Sequence, residues 1–246
     1  MTSIMGIQTA IFKIGGKILD NSKYLINCIA QLTQLYEDNI IQKIILIPGG
    51  GSVANFVRQI YNEFEFSEEL AHWIAVYSMN FNGIELKKKF PHLDIVDDIK
   101  NILKKNKIFA IFLPYKFLKL TDKLPHSWDV TSDSITLYLA HELKLDQCFL
   151  LKDVDGIIDI SESIIKEIST VEFIKLRKED GLAKIHLSNQ SLKFASKPID
   201  PYITTLIDKF KIPCIILNGA SSDLMIFNFF ITDKNDNQTY TKIKPV

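Results

Sequence analysis

The chain has 246 residues, 47% of them hydrophobic, which is enough to bury a full core as one α/β unit or as two closely apposed lobes. Lys plus Arg and Asp plus Glu both number 29, so no global field points toward nucleic acid, a membrane surface or a strongly acidic partner, and recognition of charge must be local. No apolar run approaches the ~20 residues that span a bilayer, and the N-terminus lacks a basic region followed by a long apolar stretch, so the expectation is a soluble, cytoplasmic protein without membrane or nucleic-acid partners. Residues 10–14 form a short β-type run that breaks at Gly15 and Gly16. After the break, Tyr24, Leu25, Ile29, Leu32 and Tyr36 recur at helical spacing. The unit repeats at once: KIILI at 43–47 is a continuous apolar strand, PGGG at 48–51 a loop, and Val53, Phe56, Val57 and Ile60 mark a helix. Runs that are apolar on both faces and joined through helices predict a buried parallel sheet.

A longer helix is expected from Glu68 to about Lys89, with Leu70, Trp73, Tyr77, Phe81 and Ile84 on one stripe and an acidic start that suits the helix dipole. The stripe serves either the core, a dimer interface or an acceptor-site wall. IFAIFL at 108–113 reads as a central strand, 135–143 as a helix, and QCFLL at 147–151 as another strand broken by DVDG at 153–156. Ser169 and Glu172 have capping-box spacing, Asp200 before Pro201 marks a second helix start, and CIIL at 214–217 is a late strand ending at Asn218 and Gly219. The tail from Asp233 is polar and is expected to fray. No long linker or repeat divides the chain, so two lobes sharing one sheet are expected, residues 1–145 for an acceptor and 146–246 for a nucleotide.

Two glycine loops, each following a strand and opening a helix, bring unpaired N–H groups and the positive helix end to one edge of the sheet, an arrangement that binds phosphate. A side chain there would hold a polyphosphate away from the amides. Neither loop has the spacing of GxxxxGK[ST] or GxGxxG, which excludes P-loop and dinucleotide readings. Lys13, two residues before Gly15 among Ile11, Phe12 and Ile14, is either an ammonium reaching transferred phosphoryl oxygens or a solvated strand-end lysine. The only two arginines, Arg58 and Arg177, limit bidentate carboxylate clamps. Cys28, Cys148 and Cys214 lie in apolar patterns without metal-ligand spacing and read as buried reduced thiols, with no metal centre of the protein's own.

FKIGGK (12–17), IPGGG (47–51), VTSDSIT (130–136), LLKDVDGI (150–157) and IDPYITTLIDKFKIPCIILNG (199–219), in this order and spacing, resemble the amino-acid kinase superfamily over nearly the whole chain. The resemblance implies a three-layer α/β sandwich with a central, mostly parallel sheet, and an ATP-dependent kinase whose Mg2+ is held mainly through phosphates. Several segments are similar to the uridylate-kinase branch. LPHSWDVTSDS (124–134) and SEELAHWIAVYSMN (67–80) look most like the kinases of methanofuran biosynthesis, which add a second phosphate to an aminomethylfuran-methyl phosphate in a one-carbon-metabolism setting.

Carried over residue by residue, Lys13 resembles the lysine that stabilises the transferred phosphoryl group, and Asp133 the aspartate that organises it. An N-cap is the plainer reading of Asp133. Gly15, Gly16, Gly49, Gly50 and Gly51 resemble the phosphate loops. Lys17 stands where the family usually has Ser or Thr. Lys152, Asp153, Val154, Asp155 and Gly156 match the nucleotide loop, with a turn as the alternative. The second lysine of acetylglutamate-type members has no clear match, although Lys197 lies nearby.

PHSWD is not a generic turn. It suggests that Trp128 packs on a flat ring, His126 touches the acceptor phosphate and Asp129 pairs with a ligand ammonium, beside Thr131 and Ser132. His72, next to Trp73, would form the opposite wall. The bland reading has Trp128 plugging the core and His126 solvated. UMP is the alternative acceptor, although GGGSVANFVRQ lacks the arginine-glycine expected of uridylate kinases. A non-catalytic oxyanion-storing relative is the other alternative. A homodimer or higher homo-oligomer is expected.

Overall fold

The computed structural model describes residues 7–64, 66–186, 193–195, 198–232 and 238–246. The N-terminal half alternates strands and helices: β1 (Ile7–Ile14), α1 (Gly16–Leu19), α2 (Ser22–Glu37), β2 (Ile41–Pro48), α3 (Gly51–Phe64), α4 (Glu68–Lys89), β3 (Asp94–Val96), α5 (Ile99–Leu103), β4 (Ile108–Phe112), α6 (Pro114–Thr121) and α7 (Ser132–Glu142). There follow β5 (Cys148–Lys152), β6 (Glu167–Ser169), α8 (Thr170–Lys178), a hairpin of β7 (Lys184–His186) and β8 (Lys193–Ala195), α9 (Ile203–Phe210), β9 (Cys214–Asn218), α10 (Met225–Ile231) and β10 (Thr241–Lys244).

Eight strands form one sheet in the order β3-β4-β2-β1-β5-β9-β10-β6, parallel throughout except where β10 meets β9. The sheet runs unbroken through the β1–β5 pair, where Lys13 is in register with Leu150. Two apolar cores cover its faces: Ile11, Cys148 and Leu150 pack with α4, α7 and α9 on one side, and Phe12, Ile14, Phe149 and Leu151 with α2 and α10 on the other. This is the buried, mostly parallel sheet expected from the doubly apolar strands, in the α/β sandwich that the resemblance implies.

Local signals place the helix ends. The Asn21 side chain accepts from the Lys23 and Tyr24 amides, Ser67 caps α4 through the Leu70 amide, and Ser169 with Glu172 closes a capping box on α8. Asp200 does more than start one helix. Its carboxylate accepts from the Ile203 amide of α9 at 2.9 Å and from the Ser134 amide (2.9 Å) and hydroxyl (2.6 Å) of α7.

Two expectations change. The tail contains β10, in which Thr241 and Ile243 are buried and the lysines between and after them are half-buried. A four-residue period-two strand is too short to stand out from a polar tail. The stripe on α4 also splits: Trp73 is buried, whereas Leu70, Tyr77, Phe81 and Ile84 are 42–57% exposed. The buried apolar residues are instead Ala71, Val76, Met79 and Leu86 with Trp73, because apolar residues lie on all sides of the helix and hydrophobicity alone does not pick its inner face. All three cysteines are buried and free.

Candidate active site

Strand parity aims the charged residues. Alternate residues of β1 face opposite sides, so Lys13 shares the side of Ile11, toward α7. On neighbouring β5, Lys152 shares the side of Cys148 and Leu150. Both ammonium groups therefore arrive where α7 begins, and Asp133 stands in its first turn. Lys13 Nζ lies 3.0 Å from Asp133 Oδ1, and Lys152 Nζ donates to both carboxylate oxygens at 2.7 Å. The side chains are 7%, 13% and 4% exposed for Lys13, Lys152 and Asp133.

Burial raises the Asp133 pKa, but Lys13 and Lys152 outweigh it and bring the carboxyl down to about 2. Burial pushes Lys152 down to about 8, against the opposing pull of Asp133. Asp133 is thus the shared anion of two cations as well as a first-turn helix residue. For Asp200, burial and then the nearby Asp133 raise the carboxyl.

The glycine loops sit at the same strand ends. Gly49 N–H donates to Ile14 O and Gly15 N–H to Leu151 O, both at 2.9 Å, lacing the loops after β1, β2 and β5 together. A Cβ on Gly16 would meet Gly51 Cα at 2.9 Å, and Gly51 has φ +56°, so both positions demand glycine. The amides of Gly16, Lys17, Gly50 and Gly51 donate to no group among the described residues, which leaves an anion cradle in front of the lysines.

Lys17, 66% exposed, reaches across to Asp153 Oδ2 at 2.8 Å and ties the first glycine loop to the loop after β5. In that loop Asp155 accepts from Asn218 Nδ2 at 2.7 Å, and Val154 and Gly156 complete the bends. Lys152, expected beside the nucleotide, bonds Asp133.

A cavity of about 300 Å³ opens beside the glycine loops, with Gly16 and Gly51 at its wall together with His72, Trp128, Thr131 and Ser132. Ala54, Val76, Met79 and Ile135 add an apolar lining. His126 and Asp129 are not among the lining residues. His126 stands behind His72, ring centroids 5.4 Å apart, and bonds Asp122 through Nε2 at 2.7 Å. Asp129 is exposed. His72 is buried with Nδ1 3.4 Å from the Ser127 carbonyl, and burial lowers its pKa.

Trp128 neither plugs the core nor floats. Its Nε1 is buried without a hydrogen-bond partner among the described residues, and the Arg58 guanidinium lies 4.7 Å from the ring centroid. Arg58 and Asp20 also line the cavity; sequence reasoning weighed Arg58 only as a carboxylate clamp and gave Asp20 no role. Their signal was position: Arg58 follows the GGG loop by two helical turns, and Asp20 ends the short helix after Gly16. Lys197 lies outside the described residues.

Residues 73–218 match the model of the amino acid kinase family. The chain is 32% identical over 212 residues to the (5-(aminomethyl)furan-3-yl)methyl phosphate kinase of Methanocaldococcus jannaschii, covering 85% of this chain and 87% of that protein. Among solved structures it is similar to UMP kinase from Ureaplasma parvum, with TM-score 0.66, 17% identity, and 98% and 100% of the two chains covered. It is also similar to uridylate kinase from Archaeoglobus fulgidus, with TM-score 0.63, 14% identity, and 97% and 100% covered. These two likenesses concern the fold. With a family match over more than half of its length and a kinase relative spanning most of it, the chain belongs to the amino acid kinase family and is an ATP-dependent kinase.

Proposed function

We propose that this kinase transfers the γ-phosphoryl group of ATP to the phosphate of a small phosphomonoester, an aminomethylfuran-methyl phosphate, forming its diphosphate in methanofuran-type cofactor biosynthesis. The observation that carries the reading is a semi-apolar cavity, walled by Trp128 and His72, that opens on the glycine cradle in front of the Lys13–Asp133 pair. The relative from M. jannaschii, matched over 85% of this chain, supports that acceptor.

Residues 1–145 hold the acceptor and 146–246 the nucleotide. The amides of Gly16, Lys17, Gly50 and Gly51 cradle phosphate oxygens, Lys13 neutralises charge on the group in transit, and Asp133 fixes Lys13. The loop from Asp153 to Gly156 borders the nucleotide. Trp128 stacks on the furan ring and its free Nε1–H turns toward the acceptor, while Thr131 and Ser132 close the cavity floor. Asp20 is the carboxylate on the cavity wall and so pairs with the ligand ammonium, in place of Asp129. His126 acts through His72.

Mg2+ would be held by nucleotide phosphates and water. When bound, ATP with its Mg2+ supplies the phosphoryl group and part of the charge neutralisation.

Leu70, Ile74, Tyr77, Phe81 and Ile84 leave an exposed apolar seam at alternating four- and three-residue spacing on α4, suited to a second copy of this chain. The protein works as a homodimer or larger homo-oligomer. Phe81→Glu should lower the mass seen by light scattering, by half if the assembly is a dimer, and an unchanged mass would remove α4 from the interface.

The function is tested by following ADP release with a panel of phosphomonoesters that includes the aminofuran phosphate and UMP. Saturable turnover of the aminofuran phosphate is expected. Turnover of UMP alone would make the chain a uridylate kinase, and no turnover of any acceptor would favour an oxyanion-holding relative.

A further inference from the structure

We infer that the Lys17 ammonium is a side-chain ligand of the acceptor phosphate, and that Asp153 holds it aside until that phosphate arrives. This rests on the phosphotransfer reading above. Lys17 borders two places at once. It follows Gly16 in the wall of the cavity of about 300 Å³, whereas its Nζ lies 2.8 Å from Asp153 Oδ2 in the loop after β5. One flexible four-carbon stem therefore serves both the acceptor cavity and the nucleotide side. A serine or threonine hydroxyl, expected at this position from the family resemblance, is too short to do so.

The bridge is not what joins the two loops. Gly15 N–H already donates to Leu151 O at 2.9 Å, and Phe12, Lys13 and Ile14 pair with Phe149, Leu150 and Leu151 along the β1–β5 ladder. The Lys17 and Asp153 side chains are 66% and 28% exposed, and an ion pair so open to water adds little stability and breaks readily. What it does is keep a cation beside the glycine loops. The other cations nearby are engaged elsewhere. Lys13 and Lys152 bond Asp133, and Arg58, two helical turns or roughly 10 Å along α3 from Gly51, rests on the Trp128 ring.

A phosphate competes well for this ammonium. A phosphomonoester carries nearly twice the charge of the Asp153 carboxylate and offers three terminal oxygens to the three N–H donors. The transfer also presses that anion against the phosphates of the nucleotide, and a cation turned away from Asp153 offsets the repulsion. Asp153 thereby sets a threshold. A carboxylate gains nothing over the partner that Lys17 already has, and an alcohol has no charge to offer, so the exchange selects phosphomonoesters over both.

Variants of the full chain test the exchange. Lys17→Ser should raise the acceptor KM about tenfold, with kcat and the KM of ATP within about threefold of the parent. Asp153→Asn should lower the acceptor KM about threefold, the size of an exposed ion pair that no longer competes, and the double variant should match Lys17→Ser. A mere tie between the loops would raise the acceptor KM in both single variants. A rise or no change in Asp153→Asn, an effect of Lys17→Ser below about threefold, or a loss carried by the KM of ATP would overturn the assignment. A measurement without turnover accompanies the kinetics: methyl phosphate titrated into protein loaded with a non-hydrolysable ATP analogue and Mg2+, followed by the amide signals of Gly50 and Gly51. Weaker binding in Lys17→Ser and tighter binding in Asp153→Asn are expected, and equal affinity in all three proteins would overturn the proposal. Should the parent not turn over the aminofuran phosphate, the acceptor reading fails, while the titration still decides the role of Lys17.

Discussion

The phosphate edge and the acceptor wall are built by different physics. At the edge, the ends of β1 and β5 deliver Lys13 and Lys152 to the first turn of α7 by strand parity, and each polar partner is fixed to within hydrogen-bond distance. The wall is made from α3, α4 and the segment 124–131, whose side chains contact through rings and apolar faces. Its polar groups are less committed: Trp128 Nε1 has no partner among the described residues, and Arg58 rests on a ring. The edge is suited to the one charge movement that every phosphoryl transfer shares. The wall is suited to a choice among acceptors, since apolar cavities change specificity without disturbing a charged cluster.

Breaking the edge should have the largest effect. Asp133→Asn removes the shared anion and should cut kcat by about 10³-fold while destabilising the fold by about 3–5 kcal/mol, because two ammonium groups lose their partner. Steady-state kinetics with a thermal melt checks both. The joint between the two regions comes next. Asp200 holds the starts of α7 and α9 together, and Asp200→Ala should cost about 3 kcal/mol in urea unfolding with a smaller loss of kcat.

At the wall, Trp128→Ala should raise the acceptor KM about tenfold and leave that of ATP within twofold. Equal effects on both substrates would erase the distinction between the regions. The smallest effect is one of pH. Lys152 is held down to about 8, so its charged form prevails below that pH, and kcat/KM for ATP should fall as pH rises through about 8. Asp133 is held at about 2, so it stays ionised across the neutral range and adds no acidic limb there. Lys152→Met should abolish the basic limb.

Much of the edge was legible because strands encode direction. IFKIGG and LIPGGG announce apolar strands ending in glycine, and a lysine two residues before the break has one side to face. Lys152 was read as a nucleotide contact because its neighbours DVDG resemble a nucleotide loop. Asp133, which it bonds, is 19 residues away and is brought near by the packing of α7 on β5, which no local pattern displays. Asp200 was legible as one helix cap, and its second helix was not.

The wall was less legible for a related reason. A 22-residue helix with apolar residues on all sides does not state which face is inside, so Leu70, Tyr77, Phe81 and Ile84 were grouped with Trp73 although they point to solvent. PHSWD was singled out, and only Trp128 of its three marked residues lines the cavity. The loop backbone decides between His126, Trp128 and Asp129, and loop geometry has no period to read.

The most direct test is phosphorus NMR of the product formed from ATP, Mg2+ and the aminofuran phosphate. A pair of mutually coupled resonances from a new diphosphate, formed in step with ADP, is the predicted result. A spectrum in which the phosphomonoester signal persists unchanged while ATP is consumed would contradict transfer onto a phosphate at the Lys13–Asp133 edge.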